Sequence, residues 1–273
     1  MNSQLKVFLG AWRMRLNRGL ARWGLTLAKT RELRQLTVSA LIEHFFAHER
    51  PVVFLQVGAH DGKSDDHLVH LRSRPNWQGM LLEPNPAVFL RLLENVAAAG
   101  NPRVKAVQVA IAEADSTLPF YIVADHARAR YSALPAHVDQ WSSLSRQKLV
   151  TELGEFGIGT SAAGEIIREV KVEALTFNTF LRQHGLEKLD LLLIDAEGLD
   201  ARLLKMFPLE QHLPRMVVCE WDKMAAEEID DLLNRFAVAD YVWWFIGGDM
   251  VLVHHSCLRP RPSLRARTES CSE

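Results

Sequence analysis

Between residues 52 and 255 the apolar residues come in short unbroken runs rather than in alternation. VVFLQV (52–57), GMLLEP (79–84) and VKAVQVAI (104–111) are followed by LDLLLIDA (189–196), RMVVCEW (215–221), YVWWFIG (241–247) and DMVLVHH (249–255). A strand with one wet face alternates, so runs without alternation predict strands covered on both faces, as in a parallel sheet sandwiched by helices. The stretches HLVHLRSR (67–74) and PAVFLRLLENVAAAG (86–100) read as helices between the first three strands, with Gly100 supplying the left-handed residue that ends the second. The prediction is an α/β, doubly wound, mostly parallel seven-stranded Rossmann-like sheet. Only a Gly247-Gly248 turn separates the last two strands, which makes them an antiparallel hairpin.

Three regions flank or interrupt this frame. Residues 1–50 form a basic extension in which Phe8, Trp12, Leu16, Leu20, Trp23 and Leu27 recur at helical spacing. Such a helix either lies on an anionic membrane surface or a partner, or packs its stripe on the domain that follows. Residues 51–257 form the main domain, with an insertion at about 112–188. Within it, TLPFYIV (117–123) and VKVEAL (170–175) are candidate strands, and TELGEFGIGTSAAGE (151–165) reads as a mobile glycine-rich loop. Residues 258–273 read as a disordered tail.

The formal net charge of -1 conceals an uneven distribution: residues 1–34 carry eight Lys and Arg against one acid, and residues 35–257 twenty basic against thirty acidic side chains. An acidic body argues against a nucleic-acid groove. The three cysteines form no CxxC pair, so neither a zinc site nor a disulfide framework is indicated. No apolar run is long enough to span a membrane, and the arginines of the N-terminal stretch break up any signal-peptide core. The expected location is cytoplasmic, with residues 1–34 as the contact should the protein sit on the inner face of a membrane.

Ligands of open α/β sheets lie beyond the carboxyl ends of the strands. Asp61 follows the first strand, Glu83 ends the second, Asp195 and Glu197 end the fourth, and Glu220 and Asp222 end the fifth. The first strand runs into FLQVGAHDG, whose Gly58 and Gly62 would let the backbone approach a nucleotide. Glu83 lies 21 residues beyond Gly62, where an acid accepts hydrogen bonds from ribose hydroxyls. No phosphate-binding motif is present, and Asp61 would repel a pyrophosphate. A ligand with a ribose, no phosphate and a positive charge near the loop satisfies all three conditions: S-adenosyl-L-methionine.

The blocks FLQVGAHDGKSDD, LLEPNP, LLEN, LDLLLIDAEGLDARLL and VVCEWD resemble the FkbM-type methyltransferases, a branch of the class I fold. The resemblance spans about residues 52–255, and its most specific element is IDAEGLD (194–200). Many members have Lys where this chain has Leu193. The resemblance implies methyl transfer to a hydroxyl of a sugar, glycan or natural product. It also implies that Gly58 and Gly62 face the methionine portion, Asp61 the amine, Glu83 the ribose, and Asn85, Ala110 and Ile111 the adenine.

Transfer to a hydroxyl requires a proton acceptor, for which Asp195, Glu197, Glu220 and His60 are the candidates. Other uses of these acids are a divalent cation held by Asp195, Glu220 and Asp222, or capping of the helix after Gly198 by Glu197. Tyr131, Ser132, His254 and His255 are further pocket candidates, and Trp141, Trp243 and Trp244 could stack on a sugar or simply pack. Two other functions compete: a non-catalytic membrane-peripheral protein on the same fold, and an NAD-type oxidoreductase.

Overall fold

The computed structural model describes residues 37–47, 51–124, 126–135, 137–138 and 141–258. The aromatic stripe of residues 8–27 and the tail beyond Leu258 lie outside the described residues. After helix α1 (Val38–Phe46), the chain forms β1 (Val52–Val57), β2 (Trp77–Leu82), α2 (Pro86–Ala98) and β3 (Val104–Val107). The second half adds β8 (Leu191–Ile194), α7 (Asp200–Met206), β9 (Met216–Glu220), α9 (Ala226–Val238), β10 (Tyr241–Ile246) and β11 (Asp249–His254). These seven strands make one sheet in the order β10-β11-β9-β8-β1-β2-β3. Neighbours from β9 through β3 are parallel, and only β11 runs antiparallel to β9 and β10.

The unbroken apolar runs have the expected cause. In β8, Leu191 and Leu193 pack on one face and Leu192 and Ile194 on the other, and all four are buried. One face is closed by α1 and α2, the other by α7, α9 and α6 (Phe177–Gln183). Burying both faces of a four-residue strand at about 1.5–3 kcal/mol per large apolar side chain is what fixes its place in the centre. Helix α1 closes the sheet through Val38, Ile42 and Phe46, the last edge-on to Trp77 with ring centroids 5.9 Å apart. Residues 38–46 of the N-terminal extension therefore pack on the core.

Several sequence expectations change. Residues 67–74 form successive turns, not a helix: the Asp66 carboxylate takes the Leu68 amide, and Arg72 is held against Asp66 and the Gly62 carbonyl. The run 104–111 is two strands. It leaves the main sheet after Val107 and re-forms as β4 (Ala110–Ile111) in a second sheet of order β4-β7-β5-β6. That sheet holds β5 (Ser116–Val123) and β7 (Ile167–Leu175), the two insertion strands that sequence suggested, and β6 (Ser142–Ser143), which it did not.

The glycine-rich 151–165 segment is largely helical. It lies in α4 (Arg146–Glu155) and α5 (Thr160–Ile166), which bury Leu149, Leu153, Ile158, Ala163 and Ile166 in a core of their own. The spacing of those apolar residues outweighs the glycines: Gly157 and Gly159 fall in the exposed turn between the helices, and Gly154 and Gly164 are exposed within them. Among the described residues, no helix is long and apolar enough to cross a membrane.

Candidate active site

The carboxyl ends of β1, β2 and β8 and the inner side of the insertion enclose one cavity of about 810 Å³. Gly58, His60, Glu83, Ala110, Ile111, Asp195 and Glu197 line it, so the structure brings together most of the residues singled out in sequence. Val109, Lys148 and Lys223 also line it, and sequence reasoning had not selected them.

The glycine turn is shaped by its neighbours as much as by any ligand. Gly58 has φ +78°, and a Cβ there would lie 1.7 Å from the Asp195 carbonyl oxygen. Gly62 has φ +66°, and its Cβ would meet Leu92 of α2 at 2.5 Å. Both positions exclude side chains so that the turn can sit between β8 and α2. Asn95 of α2 fastens it by donating to the Asp61 carbonyl at 2.8 Å.

The Asp61 carboxylate turns back on its own loop, accepting from the Lys63 and Ser64 amides at 2.8 Å and from the Ser64 hydroxyl. Partial burial works against its charge, but these donors outweigh it and hold the carboxyl below its ordinary range. Asp61 thus sets the loop from behind, whereas His60, at φ +49°, reaches the cavity together with Gly58, Ser64 and Asp65.

Glu83 is buried at the end of β2. One carboxylate oxygen accepts from the His60 amide at 3.0 Å and the other from the Asn85 amide at 2.8 Å. Burial pushes its pKa from 4.5 up to about 7; the two amides and Arg91 pull it down, and Asp195 adds to the rise. Each oxygen retains accepting capacity for a ribose hydroxyl. Asn85 caps α2 through its side-chain oxygen, while its buried Nδ2 has no hydrogen-bond partner among the described residues. The two Glu83 oxygens and the apolar wall of Val109, Ala110 and Ile111 suit a nucleoside, whereas Asn85 lies behind Glu83 and outside the cavity lining.

Across the cavity, the loop after β8 places Asp195 and Glu197. Asp195 is exposed to the cavity, yet displacement of bulk water by the surrounding protein raises its carboxyl from 3.8 to about 7. Asp200, Glu197 and Glu220 push in the same direction and Lys223 opposes them. Asp200, not Glu197, secures this loop: buried at the start of α7, it accepts from the Ala196 and Gly198 amides at 3.3 and 3.2 Å.

Glu197, at φ +51°, points its carboxylate to Lys223 at 2.5 Å, and Lys223 also pairs with Glu220 at 3.1 Å. Burial disfavours the Lys223 charge, but these two acids hold it well above its usual range. Glu220 is raised by burial and relieved by Lys223. It stands behind the cavity wall and reaches the site through that lysine. Lys148 of the insertion donates to the Glu197 carbonyl, tying α4 to the same loop.

No group of three or more acidic, His or Cys side chains suited to a metal ion occurs among the described residues. His254 ends β11 at its Met216 side and His255 follows it, at the opposite edge of the sheet from Glu220, so they fall outside the site. Because β11 runs antiparallel, Asp249 reaches the carboxyl edge instead, where it pairs with His67 at 3.2 Å. Trp243 and Trp244 pack on opposite faces of the sheet, and Tyr131 joins the insertion core. Trp141 alone of the three tryptophans lines the cavity.

No curated protein sequence matches the chain. Among solved structures the METTL16 MTase domain is similar at 11% identity and a TM-score of 0.44, over 85% of this chain and 74% of that one. The human methyltransferase 10 domain containing protein is similar at 12% and 0.40, over 90% and 97%. A SAM-dependent methyltransferase from Thiobacillus denitrificans, in complex with S-adenosyl-L-homocysteine, is similar at 11% and 0.35, over 76% and 64%. The family model described as methyltransferase FkbM domain matches residues 56–242, more than half of the chain and every described residue that lines the cavity, so the chain belongs to the FkbM methyltransferase family.

Proposed function

We propose that the protein transfers a methyl group from S-adenosyl-L-methionine to a hydroxyl of a sugar, glycan or natural product, with Asp195 as the proton acceptor. Family membership supports a methyltransferase that uses this donor. The observation that carries the finer reading is that one cavity holds the nucleoside-type end, Glu83 with Asn85 behind it, and Asp195 on the facing loop.

When bound, the donor supplies an electrophilic methyl carbon on a sulfonium and departs as the neutral thioether. Glu83 accepts the ribose hydroxyls, and Val109, Ala110 and Ile111 cover the base. Asp195 takes the acceptor's proton on a carboxylate oxygen as that hydroxyl oxygen forms its bond to carbon. A carboxylate with its pKa near 7 is matched to this task, because it is partly ionised at neutral pH and binds the proton firmly. Lys223 keeps Glu197 and Glu220 from crowding further negative charge onto Asp195.

The test combines binding and turnover. S-adenosyl-L-homocysteine should bind the wild type at micromolar concentration, and Glu83→Ala should weaken it by about 2 kcal/mol, the range for hydrogen bonds to a charged group. Asp195→Asn should leave that affinity within about twofold while lowering turnover about 10²–10⁴-fold. Full activity in Asp195→Asn would refute its role as base, and failure of the wild type to bind would refute the donor site.

A further inference from the structure

The donor and the proton acceptor use the floor of the cavity; its roof is assigned to nothing. The roof comes from the segment joining β6 to the end of α4. Along α4, Lys148, Glu152 and Glu155 recur at helical spacing and face the cavity, while Leu149, Val150 and Leu153 face the insertion's own core. Trp141, just before β6, and Phe156, just after α4, meet with ring centroids 5.5 Å apart. Both line the cavity, and Phe156 is 37% exposed although its helix buries every neighbouring leucine. Trp141 is partly buried against the insertion core and Phe156 is exposed, so the pair leaves aromatic surface over a polar floor that a ligand can close. Ser142 and Ser143 of β6 add hydroxyl groups to the same wall.

The charges narrow what that ligand can be. Asp65, Glu83, Glu152, Glu155, Asp195 and Glu197 surround the cavity. Its two lysines are already engaged, Lys148 with Glu152 at 3.5 Å and Lys223 with Glu197 and Glu220. Among the described residues no arginine lines it. A phosphate or carboxylate on the acceptor would enter a field of its own sign and find no uncommitted cation, which is discrimination by repulsion. A ring with one apolar face and a rim of hydroxyls fits instead: the aromatic pair covers the face, and carboxylates and serines accept the hydroxyl protons.

We infer that the β6–α4 segment is the acceptor subsite and that it takes an uncharged, polyhydroxylated ring, a glycoside without phosphate or carboxylate groups. This rests on the reading that the Glu83 end holds the methyl donor.

The experiment uses the full chain with S-adenosyl-L-homocysteine. Saturation-transfer NMR compares neutral methyl glycosides, the corresponding sugar phosphates and uronates, and protonated amino sugars, each at millimolar concentration. Two variants at exposed positions, Glu155→Lys and Phe156→Ser, accompany the wild type. Calorimetry with S-adenosyl-L-homocysteine on each checks the fold and the donor half.

Expected are transfer to the neutral glycosides alone, about fivefold or greater weakening in both variants, and new binding of sugar phosphates by Glu155→Lys, all at unchanged S-adenosyl-L-homocysteine affinity. Absence of glycoside binding would overturn the inference. So would preference of the wild type for phosphates, uronates or amino sugars, or glycoside binding that both variants leave intact. If S-adenosyl-L-homocysteine itself does not bind, the donor reading fails separately, and glycoside transfer on the unliganded protein still decides the subsite.

Discussion

With Glu83 as the proposed ribose acceptor, its burial should make donor binding pH-dependent in a way that can be worked out in advance. In the free protein its carboxyl has a pKa of about 7, against 4.5 when unperturbed. Ribose hydroxyls donate only to the ionised form with full strength, so binding should draw the pKa back toward the ordinary range and expel a proton. With a free-state pKa of about 7, the site is about nine-tenths ionised at pH 8 and about one-tenth at pH 6.

S-adenosyl-L-homocysteine should therefore bind about tenfold more weakly at pH 6 than at pH 8, a difference of about 1.4 kcal/mol. At pH 7 about half a proton should be released per ligand bound, measurable by calorimetry in two buffers of different ionisation enthalpy. Asp195 raises the Glu83 pKa and Arg91 lowers it. Asp195→Asn should accordingly move the midpoint to lower pH and keep the slope, while Glu83→Gln should abolish the slope. A flat profile in the wild type, or a slope that survives Glu83→Gln, would refute the argument.

The remaining predictions concern stability. Gly58→Ala should cost at least about 1–3 kcal/mol in urea unfolding, because a left-handed φ is imposed on a side chain that also overlaps the Asp195 carbonyl; a loss under 0.5 kcal/mol would contradict it. Phe46→Ala should cost about 3–5 kcal/mol, since the ring is buried against Trp77; a negligible loss would mean that α1 does not belong to the core. For Asp195, Glu83 and Asp200 the folded pKa lies above the unfolded one. The native state then holds more protons between about pH 4 and 7, so their contribution to stability falls as pH rises through that window. Thermal unfolding of Asp195→Asn should show a shallower fall from pH 5 to pH 8 than the wild type, and equal slopes would count against the shift.

The fold was legible because both faces of the main sheet are dry. Runs such as LLLI admit few alternatives, and the acids at their ends had to share one edge. The failures have local causes. Residues 67–74 have a helical pattern, but the Asp66 carboxylate takes the Leu68 amide, and Arg72 gives its hydrogen bonds to Asp66 and the Gly62 carbonyl. VKAVQVAI is continuous in sequence, and nothing in it marks the change of sheet at Gln108 and Val109. Lys148 and Lys223 were missed because their role is set by distance across the fold, and a capping role was given to Glu197 when Asp200, three residues on, holds the amides. Gly58 and Gly62 stood out as positions that exclude a side chain, but the bulk they must avoid is the protein's own.

The passage of the chain from β3 to β4 has a mechanical consequence. The roof of the cavity is not a flap joined by a hinge: the strand that finishes the floor continues, two residues later, as the first strand of the roof's own sheet. Floor and ceiling are cut from one beam. What is lightly attached is β6, which meets its sheet through only two paired residues before leading into α4. New acceptors could then be accommodated by redrawing that short span while the donor's berth below stays as it is.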